Sequence, residues 1–463
     1  MFLPEGVARD DLVVVLDHKR NGDRPGGVAG ERAALNASFD RTVALWRIVT
    51  LGDHGNKGIF ARDLGRTARL GSLAGMAGHP FDSISSKALD VPSSRKWSLN
   101  PGTIGAWVAE MDFGTAPAVT RALHEAIDSG VVGYLSPAIA SEMASETAAW
   151  MSQQFSWQVD PADVHPVSDV MAALGVAISQ YSPRGSAVIV PTPAYMPFLS
   201  FPPTRSRAVI EVPGIVANGR WTHDLAAIDA AFRAGAKTFV LCNPHNPTGT
   251  MFSREELLAL ADVVERNNGR VFADEIHAPL RFDGREHIPY ASVSAAAAHH
   301  TITGTSASKA WNIPGLKTAQ LITSNEADAT LYRSFGFSVQ HGASTLGVIA
   351  STAAYRDGRE WLDDVVDYLD GNRRLLGSLL SELAPSIGYT LPDATYIAWL
   401  DCRSLGIEGS PADFFREQAG VTVTDGELCG AGYEGYVRFV FAMPRPILER
   451  AVRAMAAAVA SLA

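Results

Sequence analysis

The feature that most restricts the fold is a series of short, continuously apolar runs from about residue 163 onward: "SAVIVP", "KTFVLCNP", "RVFAD", "HTITGTS" and "TAQLITS". Strands apolar along their whole length are buried on both faces, which calls for helices on either side of a largely parallel sheet. The helical stretch "SREELLALADVVERNNG" fits between two of them, with Ser253 as its cap, Glu256 completing a capping box and Gly269 expected to end it. Ligands of such α/β sheets gather at the carboxyl ends of the strands. "CNPHNPTG", "ADEIH" and "SASK" each follow one of these strands, so three polar clusters converge on one rim.

A chain of 463 residues exceeds one ordinary core. From about residue 355 long helical stretches such as "REWLDDVVDYLDGNRRLLGSLLSELA" precede the strands "TYIAWLD" and "GYVRFVF", which reads as a smaller α+β domain. The region around "GTIGAWVAEMDF" is expected to join it. The resulting division is an N-terminal extension (1–78), a segment joining the small domain (79–120), a large domain (121–350) and a small C-terminal domain (351–463). In the extension "VVVL" reads as a short strand and "ASFDRTVALWRIV" as a short helix, with no fold assigned. It ends in the Gly-rich linker "GSLAGMAGHP", where Met76 offers an alternative start.

With 47% hydrophobic and 19% charged residues the composition is globular, and a net charge of -10 argues against a nucleic-acid partner. No apolar run reaches the length of a membrane span, so no membrane partner is expected. Cys242, Cys402 and Cys429 form no CxxC pair, which supports neither a disulfide framework nor a thiolate zinc site. The N-terminus lacks a basic segment followed by a long apolar one, and a reducing cytoplasm is the expected location.

Lys309, set among small side chains in "TGTSASKAWNIPGLK", asks for a chemical reason, since a lone lysine after an apolar strand is most often a surface residue. Together with "WVAEMDF", "VVGY", "PTPAY", "CNPHNPTG", "ADEIHAPL", "TYIAWLD" and "GYVRFVFAMPR", in that order over roughly residues 80–460, it resembles the fold-type I pyridoxal-phosphate (PLP) enzymes of the class I/II aminotransferase kind. Within that group the likeness is to the cystathionine β-lyase, or C–S lyase, subgroup typified by MalY and PatB. The resemblance implies an aspartate-aminotransferase-like α/β fold, with a mostly parallel seven-stranded sheet in the large domain and a smaller α+β domain. It also implies PLP as cofactor and an amino-acid substrate.

The resemblance assigns roles residue by residue. Lys309 matches the lysine that bonds the cofactor aldehyde and moves the Cα proton. Asp274 matches the carboxylate that keeps the pyridine nitrogen protonated, Asn246 the amide on the phenolic oxygen, and His277 a residue near the same oxygen. Tyr195 matches the aromatic stacked on the ring. Ser306, Lys317 and the loop at Asp169, Val170 and Met171 match the phosphate cup. Asp169 departs from the family's usual Gly or Ser; a carboxylate there has to turn away or cap the helix. Arg438 matches the arginine that grips the substrate carboxylate. Tyr134 matches a tyrosine that reaches the neighbouring subunit's phosphate, which implies a homodimer with shared active sites.

Other readings compete. "GAGYEG" (430–435) fits GxGxxG but precedes a strand, so it reads as a Gly-rich loop. His245, Asp274, His277 and His287 show no tight metal-ligand spacing, and no metal is expected. A regulatory member of the fold is disfavoured by the intact Lys309–Asp274 pair. β-Elimination and transamination share their early steps, and spacing does not separate them. The subgroup likeness favours a lyase acting on L-cystathionine or related cysteine S-conjugates, with a class I/II aminotransferase as the alternative.

Overall fold

The computed structural model describes residues 78–217 and 219–462. The strand and helix expected near "VVVL" and "ASFDRTVALWRIV" lie outside the described residues. A seven-stranded sheet is formed by β1 (Val164–Val167), β2 (Ala187–Thr192), β3 (Val209–Pro213), β4 (Ala236–Cys242), β5 (Arg270–Asp274), β6 (Thr301–Thr305) and β7 (Ala319–Thr323). The order across it is β1-β7-β6-β5-β4-β2-β3. Only β7 runs against its neighbours; the other six strands point one way.

The continuous apolar runs are explained by burial on both faces. Phe239 and Leu241 of β4 join Val271 and Ala273 of β5 in one core, beneath helices α2 (Leu225–Arg233) and α3 (Arg254–Arg266). Val240 and Phe272, one residue out of phase, join the opposite core with Leu174 and Ile178 of α1 (Val170–Gln180). Each of the Val, Leu, Ile and Phe side chains among these contributes about 1.5–3 kcal/mol of burial, so a polar residue in either phase would be costly.

Ser253 and Glu256 form the expected capping box on α3. The other end differs from expectation. The helix stops at Arg266, and Asn268 rather than Gly269 takes the left-handed conformation, with φ of 49°. Gly269 serves packing instead: a Cβ there would lie 2.5 Å from the Phe232 ring.

A second sheet, all antiparallel, contains β8 (Gly388–Tyr389), β9 (Ile397–Asp401), β10 (Thr424–Asp425) and β11 (Tyr436–Val440) in the order β8-β9-β11-β10. Leu369, Leu376 and Leu380 of α4 (Arg359–Leu383) and Leu448, Val452 and Met455 of α5 (Arg445–Ala460) pack with it in one core. The loop Gly430–Gly435 precedes β11 and has positive φ at Gly430, Gly432 and Gly435, as a Gly-rich turn requires.

One N-terminal segment positions the site. Ile104–Gly105 pairs in parallel with Val421–Thr422, and the Val440 amide donates to the Ala106 carbonyl at 2.8 Å. The segment is anchored by a fully buried ion pair, Lys96 Nζ to Asp112 at 2.8 Å, with the Trp97 indole donating to the same carboxylate at 3.0 Å. This anchorage lays the backbone of residues 107–109 over the carboxyl ends of the parallel strands.

Candidate active site

The loops leaving the carboxyl ends of β1, β2, β4, β5 and β6 line one cavity of about 790 Å³, which is closed from the other side by residues 107–109, the segment 410–428 and Arg438 of β11. Lys309 sits on its floor, in the short helical turn Ala307–Ala310 that follows β6. Its Nζ donates to the Ala109 carbonyl at 2.8 Å. Burial and the Arg438 cation pull its pKa down to about 8, against the opposing pull of Glu110 and Asp274. It is therefore an amine that sheds its proton near neutrality.

Asp274 ends β5 and is 5% exposed. One carboxylate oxygen accepts the Ile276 amide at 3.0 Å; the other has no hydrogen-bond partner among the described residues. Burial lifts its pKa to about 7, although the Ile276 amide and the Lys309 charge oppose this. His277 is buried, and its Nδ1 has no partner among the described residues. Burial, Lys309 and Arg438 hold it neutral, with a pKa of about 3. Tyr195, in the loop after β2, lines the cavity and packs edge-on against Phe198 at 5.4 Å.

Arg438 is 3% exposed, and among the described residues no carboxylate forms an ion pair with it; burial lowers its pKa from the ordinary guanidinium value. It donates to the Trp107 carbonyl at 2.8 Å, to the Asn246 side-chain oxygen at 3.3 Å and to Thr424 Oγ1 at 3.4 Å, and its Nε has no partner among the described residues. A buried guanidinium without a counter-charge is costly unless an anion comes to it. It faces the cavity, so the cavity is built to receive an anionic group there.

At the other end of the cavity Asp169 caps α1, accepting the Ala172 amide at 2.8 Å, while its second oxygen lies 3.3 Å from Lys317 Nζ. The carboxylate that departs from the family pattern thus takes the capping role the sequence required of it. Among the described residues the first-turn amides of Val170 and Met171 have no acceptor, and they remain available to an anion. Ser306 differs from expectation. Its hydroxyl donates to the Thr318 carbonyl at 2.8 Å, accepts the Ser308 amide at 3.0 Å and does not line the cavity. The hydroxyl-bearing residues that do line it here are Ser168, Ser308 and Thr318, and Thr318 Oγ1 has no partner among the described residues. Tyr134 is not in this constellation: it is 91% exposed and stacks edge-on to His341 at 5.9 Å.

Residues 108–455 match the family model for aminotransferase class I and II. The chain belongs to the aminotransferase class I and II family. It is 37% identical over 362 residues to the cystathionine β-lyase of Corynebacterium glutamicum, covering 78% of this chain and 95% of that one. With the cystathionine β-lyase PatB of Bacillus subtilis it shares 31% identity, over 76% of this chain and 91% of the relative. Among solved structures, the PLP-bound C–S lyase of Staphylococcus hominis superposes with a TM-score of 0.74 at 28% identity, covering 82% and 99% of the two chains. These family relations agree with the seven-stranded, mostly parallel sheet and with the position of the cavity at its carboxyl rim.

Proposed function

We propose that the chain is a PLP-dependent C–S β-lyase that cleaves L-cystathionine or related cysteine S-conjugates to a thiol, pyruvate and ammonia. The observation that carries it is Arg438, a buried guanidinium with no carboxylate partner among the described residues, sharing one cavity with an amine of lowered pKa, Lys309. An α-amino acid presents the complementary carboxylate and the proton that such an amine removes. The names of the relatives point to the C–S bond.

The residues present fit PLP. Among the described residues Asp274 has an unused carboxylate oxygen on the cavity, His277 an orphaned Nδ1, Thr318 an orphaned hydroxyl, and α1 a free N-terminal turn. Asp274 would hold the proton of the pyridine nitrogen; a cation beside it returns its pKa toward the ordinary carboxylate range. Asn246 and neutral His277 would face the phenolic oxygen, and Tyr195 the ring. Val170 and Met171 amides, Ser308, Thr318 and Lys317 would hold the phosphate. When bound, PLP supplies an electron sink for the substrate's Cα, which allows a β-thiolate to leave. Lys309 Nζ takes the Cα proton, as its near-neutral pKa suits a general base. Arg438 fixes the α-carboxylate bidentately and thereby orients the Cα–H bond.

The enzyme is read as a cytoplasmic homodimer. Tyr134, with Val132 and Phe337 also strongly exposed, supplies apolar surface for a second copy. The functional test is to incubate the purified enzyme with L-cystathionine and S-alkyl-cysteines without any keto acid. Stoichiometric thiol and pyruvate are expected. Amino transfer that requires a keto acid, with no thiol released, would establish the aminotransferase alternative instead.

A further inference from the structure

The cavity mouth carries charges that the groups on the floor do not use. Asp413 and Arg416 neutralise each other, Nη1 to Oδ1 at 2.7 Å. Asp425 is also committed: it accepts the Glu427 amide at 2.9 Å on one oxygen and the Ser410 hydroxyl on the other. Two charged side chains remain. Arg95 and Glu427 both line the cavity and are exposed, and among the described residues neither forms an ion pair or a side-chain hydrogen bond. Beside Glu427, Leu428 lines the same mouth and is 59% exposed.

Both charges stand on backbone that is held in place. Arg95 immediately precedes Lys96, whose ammonium is buried against Asp112. Glu427 and Leu428 lie in the short turn Gly426–Cys429. Asp425 caps that turn, and the Cys429 carbonyl accepts the Ala194 amide at 2.7 Å, next to Tyr195. Among the described residues the mouth therefore presents one free cation, one free anion and an apolar side chain.

That combination matches the far end of a thioether whose leaving group is itself an amino acid. We infer that Arg95 and Glu427 form a distal subsite, with Arg95 taking the remote carboxylate, Glu427 the remote ammonium and Leu428 covering the intervening methylenes. The inference rests on the lyase reading for the identity of the substrate, and it narrows that reading from cysteine S-conjugates in general to those whose thiol carries its own amino and carboxylate groups.

The test compares L-cystathionine with S-ethyl-L-cysteine, which keeps the reacting half and lacks the distal zwitterion. Consumption of each amino acid is followed with and without a 2-keto acid, so the subsite is read whichever reaction the enzyme performs. In the holoenzyme, Arg95→Gln and Glu427→Gln should each lower kcat/KM for L-cystathionine roughly three- to tenfold, mostly through KM, as expected of charge-assisted contacts near solvent. S-ethyl-L-cysteine should fall by less than about twofold, and Arg95→Lys should recover part of the loss. Added salt should narrow the wild-type preference for L-cystathionine. Equal losses on both substrates, or no loss on L-cystathionine, would overturn the subsite. Absence of thiol without keto acid would overturn the lyase reading, while the ratio between the two substrates still decides the subsite.

Discussion

The floor and the wall of the cavity treat charge in opposite ways. On the floor Lys309 and Asp274 are enclosed together, and burial drags both toward neutrality, to about 8 and about 7. On the wall Arg438 is equally buried, but its hydrogen bonds go to a carbonyl, an amide oxygen and a hydroxyl rather than to a carboxylate. The floor can shed its charges by moving protons. The wall cannot, because a guanidinium stays protonated at any pH the protein meets. A site built this way has a protonically adjustable half for chemistry and a fixed half for orientation, and substitutions in the two halves should fail differently.

The largest contrast is expected at Lys309. Lys309→Ala should lower kcat by roughly a thousandfold or more, since both its cofactor bond and its general-base role are lost. Borohydride should abolish the visible absorption of the wild type and leave the label on Lys309, and should label no residue of the variant. A variant that retained full turnover would place the base elsewhere and remove the floor from the comparison.

Stability of the cofactor-free protein should show the floor's adjustability next. Asp274 has a folded pKa above its unfolded one, so the folded state binds more protons between about pH 4 and 7, and stability declines as pH rises through that window. The displacement corresponds to at most about 4 kcal/mol. Lys309 works the other way: its folded pKa is depressed, so its penalty is full below about pH 8 and is relieved as pH rises toward 10.5. Asp274→Asn should thus raise the Tm of cofactor-free protein at pH 8 and leave it unchanged at pH 4, while holoenzyme formation weakens. A Tm gain that is the same at both pH values would mean that the carboxylate's burial is not the cause.

Arg438→Ala should behave as a wall residue. PLP absorbance should persist, and kcat/KM should drop roughly ten- to a hundredfold through KM, the equivalent of about 1.5–3 kcal/mol for a charge-assisted contact. Arg438→Lys should restore only part, because a point charge makes no paired contact. If KM stays constant and Tm falls instead, Arg438 is structural and the wall does not orient substrate.

The floor was easier to read from sequence than the wall. Lys309, Asp274 and Asn246 each end or follow a continuous apolar strand, so their place on one rim was visible in the chain, while the roles proposed for them came from the family resemblance. Parallel burial also announced the helices on both faces. The reversed direction of β7 carries no such signature, since "TAQLITS" is apolar in either orientation. The carbonyls of Trp107 and Ala109 that hold Arg438 and Lys309 were invisible for a different reason: any residue has a carbonyl, and these come from positions 331 and 200 residues away. Ser306 and Ser308 show a finer limit. Both sit beside Lys309, and only the hydrogen bond to Thr318 reveals that the first is committed to the backbone. Ser168 and Thr318 were detectable only as small polar neighbours of Asp169 and Lys317.

The smallest expected effect lies where the floor meets solvent, at Asp169. Its two oxygens do separate work: one caps α1 through the Ala172 amide, the other faces Lys317 across 3.3 Å with both side chains substantially exposed. An N-cap is worth about 1 kcal/mol, whereas an exposed ion pair contributes roughly 0–1 kcal/mol and is screened by salt. Asp169→Ala should therefore lower stability by about 1 kcal/mol, measured by denaturant unfolding of the cofactor-free protein. Asp169→Ser should recover most of that loss, because a hydroxyl can accept the Ala172 amide, and it also removes a negative charge from beside the proposed phosphate cup. PLP should then bind Asp169→Ser at least as tightly as wild type. If Asp169→Ser is as unstable as Asp169→Ala, the capping bond contributes nothing and the Lys317 pair accounts for the residue. If it loses PLP, the Asp169 carboxylate helps to hold the cofactor by keeping Lys317 in place, and even this solvent-facing edge behaves like the buried floor.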